Sequence, residues 1–185
     1  MSSVTAPTVT TTTWNIDSVH SSAQFKVKHM MISNVKGEFT TITGSLKYGG
    51  ENIANSYVEA SIDATTINTR DAQRDAHLKS ADFFDVEKFP ALTFKSTRIS
   101  KKADGELAVG GELTIHGVTR PAVFEVEGPS APMKDPWGNT RLGLSASTRI
   151  NRKDFGLTWN STLETGGILV GDEVTISLDV QFIKA

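Results

Sequence analysis

From Trp14 onward, apolar positions recur at every second residue rather than every third or fourth. Phe25 and Val27 alternate with Gln24, Lys26 and Lys28, and Val58, Ala60, Ile62 and Ala64 alternate with Tyr57, Glu59, Ser61 and Asp63. A period of two places each apolar set on one face of a strand. The pattern returns at Leu92 and Phe94, at Leu107 and Val109, at Leu113 and Ile115, and at Ala122, Phe124 and Val126. Its two longest runs are Leu142, Leu144, Ala146, Thr148 and Ile150, and Val174, Ile176, Leu178, Val180 and Phe182. Turn-forming stretches part the runs: YGGEN (48–52), KKADGE (101–106), HGVTRP (116–121), GPSAPMKDPWGN (128–139) and TGG (165–167). Short strands with one apolar face each, interrupted by turns about every dozen residues, predict an all-β antiparallel sandwich or closed barrel. Closure removes the unpaired edges that so many strands would otherwise leave.

One stretch breaks the period. RDAQRDAHLKSADFF (70–84) is dense in charge, rich in alanine and free of glycine and proline, which predicts a short helix with Asp71 as its N-cap. The segment FFDVEKFP (83–90) ends it before Pro90 returns the chain to a strand. At about 100° per residue Arg70, Arg74 and His77 share one stripe, while the apolar side offers little beyond Ala72, Ala76 and Leu78. Such a helix buries little by itself. Phe83 and Phe84 are therefore the expected anchors that hold it as a cap over one end of a barrel.

Composition narrows the function. At 185 residues the chain reads as one domain over 14–185, preceded by a flexible Ser/Thr-rich tail at 1–13. With 19 Lys and Arg against 21 Asp and Glu, the net charge of −2 creates no strong field, which argues against nucleic acid or an anionic membrane surface as the main partner. The absence of cysteine excludes disulfides, thiolate metal sites and a Cys nucleophile. The first thirteen residues show neither a basic n-region nor an apolar h-region, so the expected location is cytoplasmic, or periplasmic if the recorded start is processed or engineered. No apolar run approaches the ~18 residues of a membrane span.

Candidate chemistry is sparse. His20, His29, His77 and His116 show no H-x-H or H-E-x-x-H spacing, so no metal site is expected. There is no G-x-S-x-G elbow, P-loop or G-x-G-x-x-G, and no catalytic residue or cofactor is assigned. His20 is expected to be hydrogen-bonded at a strand end, Arg152 to pair with Asp154, and Phe155 and Trp159 to serve as plug or wall aromatics.

The segment NTRDAQRDAHLKSADFFDVEKFPALTFKS (68–96) resembles the helix-and-strand signature of the YceI-like family. WNIDSVHSSAQFKVKH (14–29), GELTIHGVTRPAVF (111–124), STRINRKDFGLTWN (147–160) and VGDEVTISLDVQF (170–182) are similar to its other parts, in the same order. The resemblance implies an extended lipocalin-like antiparallel β-barrel, a short helix across one opening, and an elongated apolar tunnel that binds polyisoprenoids or similar long-chain amphiphiles. It also makes a homodimer possible. The expected ligand is a polyprenyl or quinone-type compound, sequestered or carried without being transformed. Phe25, Val27, Phe39, Val58, Ile62, Phe94, Leu113, Ile115, Leu144, Trp159 and Ile176 are the expected wall, with Phe83 and Phe84 holding the cap.

The residues themselves leave alternatives open. Ala60, Ala64, Ala122 and Ala146 at inward positions leave room for a ligand, yet apolar alternation equally fits a filled core and a structural or stress-related protein. Arg70, Arg74 and His77 suit a cationic rim for a polar or anionic head such as a diphosphate. The same cations also suit ordinary helix ion pairs, Asp71 with Arg74 and Asp75 with Lys79. An enzyme acting on an isoprenoid or quinone, with His77 as acid or base, would need a carboxylate set against that histidine.

Overall fold

The computed structural model describes residues 8–185. The chain runs β1 (Thr12–Ile16), β2 (Ser22–His29), β3 (Ser33–Phe39), β4 (Ile42–Tyr48), β5 (Tyr57–Asp63), β6 (Ile67–Asn68) and α1 (Ala72–Lys79). There follow β7 (Ala91–Lys101), β8 (Leu107–Ile115), β9 (Val118–Glu127), β10 (Met133–Lys134), β11 (Thr140–Asn151) and β12 (Val170–Lys184). β1 thus begins at Thr12, two residues before the expected boundary, where the Thr12 hydroxyl accepts a 2.8 Å hydrogen bond from the Trp14 indole. Residues 1–7 of the expected tail lie outside the described residues.

Eight antiparallel strands close a ring in the order β11-β9-β8-β7-β5-β4-β1-β12, with β12 returning to β11. The two longest alternating runs of the sequence are the seam. Ile150, Thr148, Ala146, Leu144 and Leu142 stand opposite Val174, Ile176, Leu178, Val180 and Phe182. With a side-chain period of two, that register turns both apolar sets inward together. The other edge of β12 is divided: Phe182 to Lys184 pair with β1, and Val170 to Asp179 pair with β2. The β2–β3 hairpin and β6 therefore lengthen the wall beyond the ring, giving the extended, lipocalin-like barrel.

The junction of β9 with β11 is short, limited to the pairs from Ser145–Glu127 to Ser147–Glu125. Past that point the 152–157 segment fills the gap, with Phe155 and Leu157 buried against Leu113 and Ile115. Arg152 does not pair with Asp154 as expected. Its buried guanidinium instead donates to the carbonyls of Gly171 (2.8 Å), Leu157 (2.6 Å) and Trp159 (2.9 Å), with Asp172 3.8 Å away. A guanidinium in a low-dielectric site needs several acceptors at once, and the start of the loop after residue 156 and the first residues of β12 supply them.

At the opposite end Arg141 forms an ion cluster that ties β11 to the start of the barrel. It donates to Asp17 and, at 2.7 Å, to Asp135, while the His20 ring lies 2.7 Å from Asp17. His20 thus has the hydrogen-bonded role expected of it. The Arg141 bond, followed by that of His20, holds the Asp17 carboxyl at about 2, and Arg141 holds Asp135 well below the usual carboxylate range.

The helix forms as the sequence predicts. Asp71 caps it by accepting from the Arg74 amide at 2.8 Å, and no residue of α1 is fully buried. The ion pairs Asp71–Arg74 and Asp75–Lys79 do not form, because both carboxylates serve backbone donors. Asp75 accepts from the amide and hydroxyl of Thr69 (2.8 and 2.6 Å), and Arg74 donates to the hydroxyl and carbonyl of the same Thr69 (both 2.8 Å). These four bonds tether the cap to the end of β6.

Candidate functional site

Two apolar chambers occupy the interior. The one beneath the cap holds about 1160 Å³ of atom-free space, its mouth included, and the far one about 780 Å³. Phe25, Val27, Phe39, Ile115 and Ile176 line the cap-end chamber as expected, and Phe83, Phe84 and Trp159 close over it. Val58, Phe94 and Leu144 line the far chamber, where Ala60 and Ala146 provide the room that alanine was expected to leave. Only Tyr48 and Ser56 bring polar side-chain atoms to that chamber, and the Ser56 hydroxyl already accepts from the Gly49 amide at 2.8 Å.

Strand periodicity explains how the chambers are stacked. On β7 Leu92 faces the cap-end chamber and Phe94 the far one; on β12 Ile176 and Leu178 divide in the same way. Residues two apart on one face are neighbours along the barrel axis, so these pairs mark the level at which one chamber gives way to the other. Phe94, edge-on to Phe124 with ring centroids 5.0 Å apart, sits at this neck.

Four expectations need correction. Ile62 points inward but packs among Phe39, Ile42, Ala64 and Ile67 instead of bordering free space, and Leu113 packs with Ile115, Phe155 and Leu157. Ala64 is no wall position, since it starts a 3-10 turn and is fully buried. Arg70 is exposed, with φ of +65°, and lies outside the chamber lining. The helical stripe that joined it to Arg74 and His77 does not apply, because Arg70 precedes the N-cap.

The mouth is an aromatic cluster around His77. Its ring meets Phe83 edge-on at 5.1 Å and Trp159 edge-on at 4.7 Å, and the two larger rings are 5.3 Å apart. The His77 Nε2 lies 2.8 Å from the Asp82 carboxylate. Arg74 reaches the lining too, although its bonds to Thr69 occupy much of its fork. Lys28, His29 and Arg152 complete the polar border, opposed by the apolar Leu157, Leu169 and Val170. Burial pushes the Arg152 guanidinium down from its ordinary value, and the Asp172 charge opposes that shift. Arg152 has therefore a positioning role: it holds the carbonyls of both ends of the 157–171 loop and with them Trp159. Among the described residues no three His, Cys, Asp or Glu side chains converge as a metal set would.

Comparisons with known proteins agree with this architecture. The YceI-like domain model matches residues 14–182. A UPF0312 protein of Vibrio cholerae is 43% identical over 138 residues, which covers 75% of this chain and 72% of the relative. One of Staphylococcus aureus is 34% identical over 171 residues, 92% of this chain and 97% of the relative. Among solved structures, BcnA of Burkholderia cenocepacia superposes with a TM-score of 0.73 at 22% identity, covering 90% of this chain and 98% of its own. A polyisoprenoid binding domain from Saccharophagus degradans gives 0.67 at 14% identity, covering 93% and 98%. At those identities the two structures speak for the fold alone. The match over 169 of the described positions, residues 14–182, together with the barrel, the cap and the two chambers, places the chain in the YceI-like family.

Proposed function

We propose that this protein takes up a long-chain isoprenoid or similar amphiphile, of polyprenyl or quinone type, and carries it in the stacked chambers without altering it. The observation that supports the reading is the far chamber, an apolar space with almost no hydrogen-bonding capacity. Such a space suits hydrocarbon: each buried methylene contributes roughly 0.8 kcal/mol before ordering costs. A polar head would remain at the mouth, beside His77, Arg74 and Trp159. The name of the Saccharophagus domain is in keeping with this ligand class. Native mass spectrometry of the purified protein, together with organic extraction, tests the reading. A stoichiometric isoprenoid is the expected result, while protein that is empty and also refuses added polyprenyl and quinone ligands would return the filled-core reading to first place.

One observation favours a second reading. Asp82 supplies the carboxylate against His77 that an acid–base enzyme would require. Turnover of a bound isoprenoid that disappears in His77→Ala, with binding retained, would establish it; ligand recovered unchanged after long incubation would dismiss it.

A further inference from the structure

The net charge of −2 conceals an uneven distribution. Between residues 22 and 39 the β2–β3 hairpin carries Lys26, Lys28 and Lys36, and its one carboxylate, Glu38, sits at the base. Lys26 and Lys36 are direct register partners, so two like charges face each other across the pair. All three lysines are exposed, and the lysine ion pairs of the described residues involve Lys88, Lys102 and Lys153 instead. A cross-strand repulsion left without a counter-ion calls for an anionic partner from outside the chain.

The tip of this hairpin is unusual in a second way. The Ile32 amide donates to the His29 carbonyl at 3.1 Å, and the two central residues, Met30 and Met31, have φ of +52° and +61°. This is a type I′ turn, which Asn-Gly fills with least strain. The chain instead places two methionines and then Ile32 there, exposed by 39%, 57% and 79%. Ile168 adds to the patch at 38% exposure, on a loop that the Met30 amide joins through the Leu169 carbonyl at 2.8 Å. The patch borders the mouth, since His29 and Leu169 both line the cap-end chamber.

Large apolar side chains on a locally disfavoured backbone gain nothing from water. Inserted at the boundary between headgroups and acyl chains they do gain, and lysines behind them meet anionic headgroups. We propose that residues 30–32 and Ile168 form a lip that docks the barrel mouth onto an anionic lipid surface, so that the ligand passes between bilayer and chamber without crossing water. The passage of ligand rests on the function proposed above; the docking does not.

The test is co-sedimentation of the full chain with vesicles of phosphatidylcholine, alone or mixed with phosphatidylglycerol, containing no isoprenoid. The wild type is expected to sediment with the mixed vesicles and to be released at about 1 M salt, where screening shortens to ~3 Å. The variant M30N/M31G places the residues that a type I′ turn favours at the tip. It is expected to lose vesicle partitioning by roughly tenfold or more, with a melting temperature equal to or above the wild type. The variant K26E/K36E is expected to lose the preference for phosphatidylglycerol. Wild-type protein that stays in the supernatant, M30N/M31G that sediments as the wild type does, or a wild-type dimer that M30N/M31G converts to monomer would each overturn the proposal. The last outcome would show a second copy covering the tip. Because the vesicles carry no isoprenoid, failure to find a natural ligand leaves this result standing.

Discussion

If a tail threads the neck and ends in the far chamber, filling that chamber should remove affinity for long ligands only. Ala146 is the position to fill. It lines the far chamber, faces Leu178 across the β11–β12 seam and is 8% exposed, so a phenylalanine ring there projects into free space. A tail that passes the neck would end against the almost wholly apolar lining of this chamber. At ~0.3 kcal/mol per buried atom, each five-carbon isoprene unit is worth about 1.5 kcal/mol, or about tenfold in Kd. Excluding two units should therefore weaken a long polyprenol about a hundredfold in Ala146→Phe, while a short one that fits beneath the cap binds unchanged. Titration of a polyprenol length series against both proteins, by competition with a fluorescent polyene, measures the difference. Overpacking would cost about 1–3 kcal/mol of stability, read separately from the melting temperature. A folded Ala146→Phe that binds long tails as the wild type does, or that loses long and short ligands equally, would refute the threading geometry.

Three further outcomes follow from the ends of the barrel. Arg152→Met leaves the carbonyls of Leu157, Trp159 and Gly171 without their buried donor; even after relief of the guanidinium's desolvation the loss should be about 3 kcal/mol, a fall of ~6–12 °C in Tm. Calorimetry showing a change within ~2 °C would deny Arg152 its positioning role. Gly117→Ala sets a Cβ 2.4 Å from the Phe89 ring at φ of +71°, and should cost about 2 kcal/mol, seen as a Tm lower by ~4–8 °C; an unchanged Tm would mean the turn relaxes freely. The Arg141 cluster depresses the Asp17 carboxyl from 3.8 to about 2, so its contribution is fully present above the higher value and is lost as pH falls through the lower. The Tm difference between wild type and Arg141→Gln should thus be constant from neutral pH to about 4 and shrink below it; a gap that stays the same under acid would rule out the cluster as its source.

The parts of the fold that were legible in the sequence are those where one local rule acts alone. The seam is the clearest case, because Leu142 to Ile150 and Val174 to Phe182 each keep strict alternation and their partnership needs only that both apolar faces turn inward. The helix was equally legible, through Asp71 and the run of good helix formers behind it. The ion pairs assigned to it failed for a physical reason: spacing places charges within reach, but a carboxylate beside unsatisfied amide groups takes those first. Asp71 and Asp75 both did so.

The site was legible to the extent that it is made of strands. Phe25, Val27, Phe39, Ile115 and Ile176 follow from inward phase, whereas Ile62 and Leu113 share that phase and border no cavity. Phase gives direction, and what meets the side chain depends on the segment that folds back over it, here the 152–157 plug for Leu113 and the turn and short strand at 64–68 for Ile62. The 157–169 loop carries no period at all, so Leu157 and Leu169 had no signal, and Asp82 was hidden because its distance from His77 is set by the turn after α1. Charge failed in the opposite sense: the total of −2 is correct, yet summing over the chain cancels the lysines of one hairpin against carboxylates on other strands. What a lipid surface would meet is not the sum but Lys26, Lys28 and Lys36 beside an exposed Met-Met-Ile tip, and that local count, invisible in the total, is what carries the docking proposed for a chain without bulk attraction to membranes.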